Sequence, residues 1–146
     1  MAVPPGMNAA TFADALAEMR GIVGSEWVFD QPADTGTYRD FYSVLWGEPE
    51  ERLASAAIAP DNVEQVQAVV RVANQRGIPL YPISTGRNLG YGGPAPVLSG
   101  SVVLDLKRMN RVLEVSESNA SCLVEPGVSY FDMYRPLQQS GSKLWI

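Results

Sequence analysis

The chain has 146 residues, with 11 lysines and arginines against 16 aspartates and glutamates, no histidine and a single cysteine. A net charge of −5 offers no basic patch for nucleic acid or an anionic membrane. The missing histidines and the lone Cys122 exclude an internal disulfide, a cysteine metal cluster, a histidine metal site and a Ser-His or Cys-His catalytic pair.

Apolar content of 46% and charged content of 18% are those of an ordinary soluble globular chain, and the length is that of one domain. Met1 to Gly6 lack the basic and apolar regions of a signal peptide, and no run nears the ~18 apolar residues of a membrane span. The expectation is therefore a cytoplasmic protein with no membrane or nucleic-acid partner.

In chain order, the spacing of Phe12, Leu16, Met19 and Val23 predicts a helix over 8–23, ended by Gly24. The stretch Tyr38–Trp46 is rich in aromatic residues suited to packing on a neighbouring part of the molecule. The connector Gly47-Glu48-Pro49-Glu50-Glu51-Arg52 reads as a solvated loop. It closes a helical and irregular lead-in, 1–52, ahead of a second region, 53–146.

Ala54–Ala59 reads as a short buried strand. Asp61, with Glu64 three residues on, has the form of a capping box, and Val63, Val66, Val70 and Ala73 form an apolar stripe. Arg71 and Arg76 suit the C-terminal dipole of that helix, and Gly77 its C′ position. A strand follows at Leu80–Ile83.

Further on, Val102–Leu106, Val112–Val115 and Cys122–Val124 read as strands, with Cys122 a buried thiol. Glu125-Pro126-Gly127 is a turn. Ser129 and Asp132 predict a second capped helix that carries Phe131, Tyr134 and Leu137 inward. Pro136 in its interior costs about 3 kcal/mol and should bend or end it. The class expected is α/β or α+β, with a ligand loop at one edge of the sheet.

That loop is the most informative stretch. Four of the eight residues from Gly86 to Gly93 are glycine, and Arg87 is the only charged residue between Arg76 and Asp105. A long loop without charge suggests a surface covered by something else. Glycines allow positive φ and close approach of another molecule, and successive exposed N–H groups make an anion-binding concavity. The same glycines would also serve two tight turns with no ligand. A Rossmann fingerprint begun at Gly90 and Gly92 fails at Ala95, and a P-loop begun at Gly86 fails at Tyr91.

The run Pro82-Ile83-Ser84-Thr85-Gly86-Arg87-Asn88-Leu89-Gly90-Tyr91-Gly92-Gly93 resembles the pyrophosphate loop of the vanillyl-alcohol oxidase and para-cresol methylhydroxylase flavoproteins. The runs Ser99–Leu106, Met109–Val115 and Val124–Val128 are similar to that family in the same order. The resemblance implies the N-terminal part of a non-Rossmann FAD-binding domain and an enzyme oxidising para-substituted phenols. Hydride would pass from a benzylic or allylic carbon to flavin, leaving a quinone methide.

Ser84, Thr85, Gly86, Arg87, Asn88, Leu89 and Gly90 would wrap the pyrophosphate, and Gly127 and Val128 would approach the cofactor from the second turn. Arg87 would serve as an anchor of the loop rather than a substrate ligand. Tyr91 would aim its hydroxyl at the phenolate oxygen as the catalytic residue; a ring merely packed over the loop is the alternative. Oxygen or a cytochrome would accept the electrons, and a homo-oligomer is open.

Pro94 departs from the family's usual small residue and should stiffen the loop exit. The apolar run Lys143–Ile146 suggests the opening portion of a longer protein, whose covalent flavin attachment and further phenolate-binding residues would lie downstream. Two other readings stand beside this one: a catalytically incomplete FAD-binding fragment, and a flavin oxidase of hydroxy acids or sugars.

Overall fold

The computed structural model describes residues 2–87 and 93–146. Helix α1 spans Ala9–Val23, as its spacing predicts, and the Asn8 side chain caps it by accepting from Thr11 N–H at 2.9 Å. It buries Phe12, Ala15, Leu16, Met19 and Val23. A short strand β1, Val28–Phe29, and a one-turn helix α2, Pro32–Thr35, follow. Strand β2 is Ala56–Ile58, helix α3 is Val63–Arg76 and strand β3 is Leu80–Ile83. Strand β4, Val102–Asp105, completes a four-stranded sheet of order β1-β2-β4-β3. In it β2, β4 and β3 run parallel and β1 antiparallel.

One apolar core joins α1 and α3 to a face of this sheet, with Leu16, Met19, Ile58, Val69 and Val102 among its most buried members. Residues of 1–52 and of 53–146 thus share a single core. Because β4 lies between β2 and β3, the chain must cross from the end of β3 back to the start of β4. Parallel strands require such a crossover, usually helical. Here residues 84–101, the glycine loop and its exit, make it, with no helix or strand among those described.

Beyond β4, strands β5 (Val112–Ser116) and β6 (Ser121–Val124) pair only with each other, as an antiparallel hairpin. Helix α4, Tyr130–Gln139, follows with the expected capping box between Ser129 and Asp132.

Several local expectations change. Asn62 caps α3 in place of Asp61, its Oδ1 accepting from Gln65 N–H at 2.9 Å, and the Gln65 side chain accepts in turn from Asp61 N–H at 2.7 Å. The sequence holds two overlapping capping patterns, Asp61…Glu64 and Asn62…Gln65, and the second one forms. The face α3 buries is Val69, Val72 and Ala73 with part of Val66, whereas Val63 is 54% exposed. Contact with α1 and the sheet selects that face; several valines in a row leave periodicity indifferent to it.

Glu51, expected in a solvated loop, is buried and paired with Arg39. Cys122, expected to be buried, is exposed, as are Leu113, Val115 and Leu123, because a two-stranded hairpin covers neither of its own faces. On α4 only Leu137 is buried; Phe131 and Tyr134 face outward. Pro136 lies inside α4, yet the helix continues to Gln139. No helix among the described residues is long and apolar enough to cross a membrane.

The capping difference is measurable. Asn62→Ala should lower stability to urea by about 1 kcal/mol, while Asp61→Ala should stay within about 0.5 kcal/mol of the parent.

Candidate functional site

The three parallel strands end on one edge of the sheet, the usual side for a ligand in open α/β sheets. There β3 closes with Ile83 opposite Asp105 in register, and Ser84 begins the glycine loop. The Ser84 hydroxyl donates to the Pro126 carbonyl, tying the loop entry to the Glu125–Gly127 turn.

That turn is held from behind. Gly127 N–H donates to the Met109 carbonyl at 2.8 Å. A Cβ on Gly127 would stand 2.3 Å from the Leu106 carbonyl oxygen and 2.9 Å from that of Met109, so only glycine fits. Glu125, 7% exposed, accepts from Arg111 through the backbone N–H (2.8 Å), Nε (3.0 Å) and Nη2 (2.6 Å). These bonds from Arg111, side chain first and backbone second, hold the Glu125 carboxyl below its ordinary range.

Between the loop entry and α4 lies a cleft of about 400 Å³. Ser84, Thr85 and Arg87 form one wall; Val124, Val128, Phe131 and Met133 contribute to the other. Gly86 adopts φ +69°, and a Cβ there would come within 3.2 Å of the Pro94 side chain, so the loop entry and exit lie close together. Among the described residues, the backbone N–H groups of Thr85, Gly86 and Arg87 have no hydrogen-bond partner. Successive N–H groups around a left-handed glycine make an anion-binding nest.

The N-terminus of α4 borders the same cleft through Ser129, Tyr130 and Phe131. The Asp132 carboxylate already accepts from the Ser129 hydroxyl at 2.6 Å and its N–H at 3.1 Å, and these bonds hold it below the usual carboxylate range.

The structure therefore brings Ser84, Thr85, Arg87 and Val128 to one cleft. Gly86 shapes the loop between them, while Gly127 is buried in its turn, against the backbone of Leu106 to Met109. Arg87 is exposed and makes no ion pair among the described residues, so no anchoring contact is seen for it. Asn88, Leu89, Gly90 and Tyr91 lie outside the described residues.

Sequence reading missed a buried polar group at the same edge. The Tyr38 hydroxyl donates to Asp105 Oδ2 at 2.8 Å, and Lys107 Nζ stands 3.0 Å from that oxygen. A separation of 67 residues leaves no local signal for it.

An amide nest beside an apolar wall suits an anionic bridge that carries an aromatic group, so the donor set fits a flavin dinucleotide. The family described as FAD binding domain matches residues 54–146. The chain is 37% identical to the 4-cresol dehydrogenase [hydroxylating] flavoprotein subunit of Pseudomonas putida, over 94% of this chain and 26% of that protein. It superposes on 4-ethylphenol oxidase from Gulosibacter chungangensis, in an isoeugenol complex, with a TM-score of 0.90 and 46% identity, over 99% of this chain and 27% of that one. On p-cresol methylhydroxylase with substrate bound, the TM-score is 0.89 at 36% identity, over 97% of this chain and 27% of that one.

The chain belongs to the FAD binding domain family, in its vanillyl-alcohol oxidase and p-cresol methylhydroxylase branch. The expected fold and cofactor are both borne out: the fold is that of this branch's FAD-binding domain, and the cofactor is FAD. The chain spans about a quarter of the length of the curated relatives it matches.

Two outcomes follow for the turn. Gly127→Ala should cost about 1–3 kcal/mol in a urea titration, because the added carbon forces backbone apart. Glu125, like Glu51, has a carboxyl lowered from the ordinary 4.5. Its stabilisation is complete above that value and is lost as pH falls through the lower folded value. Glu125→Gln should therefore flatten the decline of Tm on acidification below about pH 4.5.

Proposed function

We propose that the full-length protein is an FAD-dependent oxidoreductase of para-substituted phenols. The observation that carries this reading is the similarity, over nearly the whole chain, to a 4-cresol dehydrogenase subunit and a 4-ethylphenol oxidase. When bound, FAD would supply a hydride acceptor for the benzylic or allylic carbon of a phenolate substrate, which would thereby be oxidised to a quinone methide.

The chain's own residues bind and orient. Ser84, Thr85, Gly86, Arg87, Asn88, Leu89 and Gly90 hold the pyrophosphate, chiefly through backbone N–H groups, so the acidic chain needs no cluster of cations there. Arg87, unpaired by carboxylates among the described residues, adds one charge near that anion. Val128 supplies apolar contact from the opposite wall, and Gly127 lets its turn seat against the sheet. Tyr91 donates its hydroxyl to the phenolate oxygen, stabilising negative charge in a site from which water is excluded. Oxygen or a cytochrome takes the electrons onward. Residues 53–146 form the first part of the FAD-binding domain and 1–52 its lead-in.

Mixing the full-length holoenzyme anaerobically with 4-ethylphenol should bleach the flavin absorbance within seconds, and glycolate or a sugar should leave it unchanged. The reverse pattern would overturn the phenol assignment. In the same protein, Tyr91→Phe should lower turnover on 4-alkylphenols by more than about tenfold; an unaltered rate would remove Tyr91 from the chemistry.

A further inference from the structure

We propose that Tyr38 is a positioning residue for the cofactor loop: it fixes Asp40 as the backstop on which the returning loop is seated at Gly93. The inference rests on the reading of that loop as the FAD cradle.

Tyr38 is 6% exposed and bonds to Asp105, the residue paired with Ile83 where the loop departs. Burial first, then the hydrogen bond to Asp105 and its negative charge, push the Tyr38 phenol well above its ordinary pKa, so it remains a donor. The next residue, Arg39, is held separately. Its guanidinium spans both oxygens of Glu51, with Nε at 2.7 Å from Oε1 and Nη2 at 2.5 Å from Oε2, and lies 3.6 Å from the Trp46 ring centroid. Two consecutive pinned residues leave the backbone of Asp40 little freedom. Against that backbone lies Gly93, where a Cβ would stand 3.4 Å from Asp40 Cα. Loop entry and loop exit are thus both referred to Asp105, one through the β3–β4 pairing and the other through Tyr38.

Tyr38→Phe keeps the ring and the fold, since Asp105 Oδ2 retains Lys107 at 3.0 Å. In the full-length protein, this variant should weaken FAD binding by about five- to tenfold, because only part of the lost hydrogen bond is transmitted to the loop. It should also alter the visible circular dichroism of the bound flavin, which a remote packing defect would leave alone. Gly93→Val, whose methyl groups extend past a Cβ already 3.4 Å from Asp40 Cα, presses on Asp40 from the other side and should give the same spectral change, and the double variant should fall short of additivity. Wild-type affinity and wild-type visible dichroism in Tyr38→Phe overturn the proposal, whatever happens to its Tm. Should Tyr38→Phe fail to fold, an unperturbed flavin in Gly93→Val overturns it equally. A wild-type protein that takes up no FAD sinks the cradle reading as well, so the two failures are distinguishable.

Discussion

The site depends on a backbone contact that only glycine permits. Gly127 brings the Glu125–Gly127 turn against the carbonyls of Leu106 and Met109, leaving no space for a methyl group. The parallel sheet and the β5–β6 hairpin with α4 would otherwise be two separate pieces, each with one wall of a cleft. With the turn seated, Ser84 reaches Pro126 and the two walls face each other. The ring of bonds between Arg111 and Glu125 closes the base of the hairpin beside that turn.

The electrostatics of the molecule are arranged so that anion binding needs little net charge. The chain is acidic overall, and its cations among the described residues are mostly committed: Arg39 to Glu51, Arg111 to Glu125, Lys107 to Asp105 and Arg20 to Asp30. What remains at the cleft is a row of backbone N–H groups around a left-handed glycine, with Arg87 beside them. Dipoles fixed by backbone geometry attract a diphosphate without repelling one another as a group of lysines would. At the N-terminus of α4 the Asp132 carboxylate is committed to the capping box with Ser129.

Where local pattern and local structure share a cause, reading the residues one by one succeeds. The ending of α1 at Gly24, the capping box of α4, the αL glycine Gly77 and the span of β3 follow from neighbouring side chains and backbone angles alone. Where the outcome depends on what lies across the fold, it fails. Cys122, Leu123 and Phe131 have the composition of core residues, yet they stay exposed, because among the described residues the hairpin and α4 are covered by no further layer of the fold. Glu51 sits in a charged, proline-broken connector and is nevertheless buried, because Arg39, twelve positions earlier, folds back onto it.

By itself the sequence determined the principal helices and strands, the absence of an internal disulfide and of imidazole chemistry, and the glycine loop with its resemblance to flavoproteins. Those properties reside in short windows, where φ, charge and hydrogen-bonding capacity belong to consecutive residues. Only the tertiary structure decided that β4 inserts between β2 and β3, that the turn at Gly127 closes on the loop at Ser84, and that Tyr38 meets Asp105. Each of those contacts joins residues tens of positions apart. Its free energy comes from burying both partners at once, which no window along the chain contains.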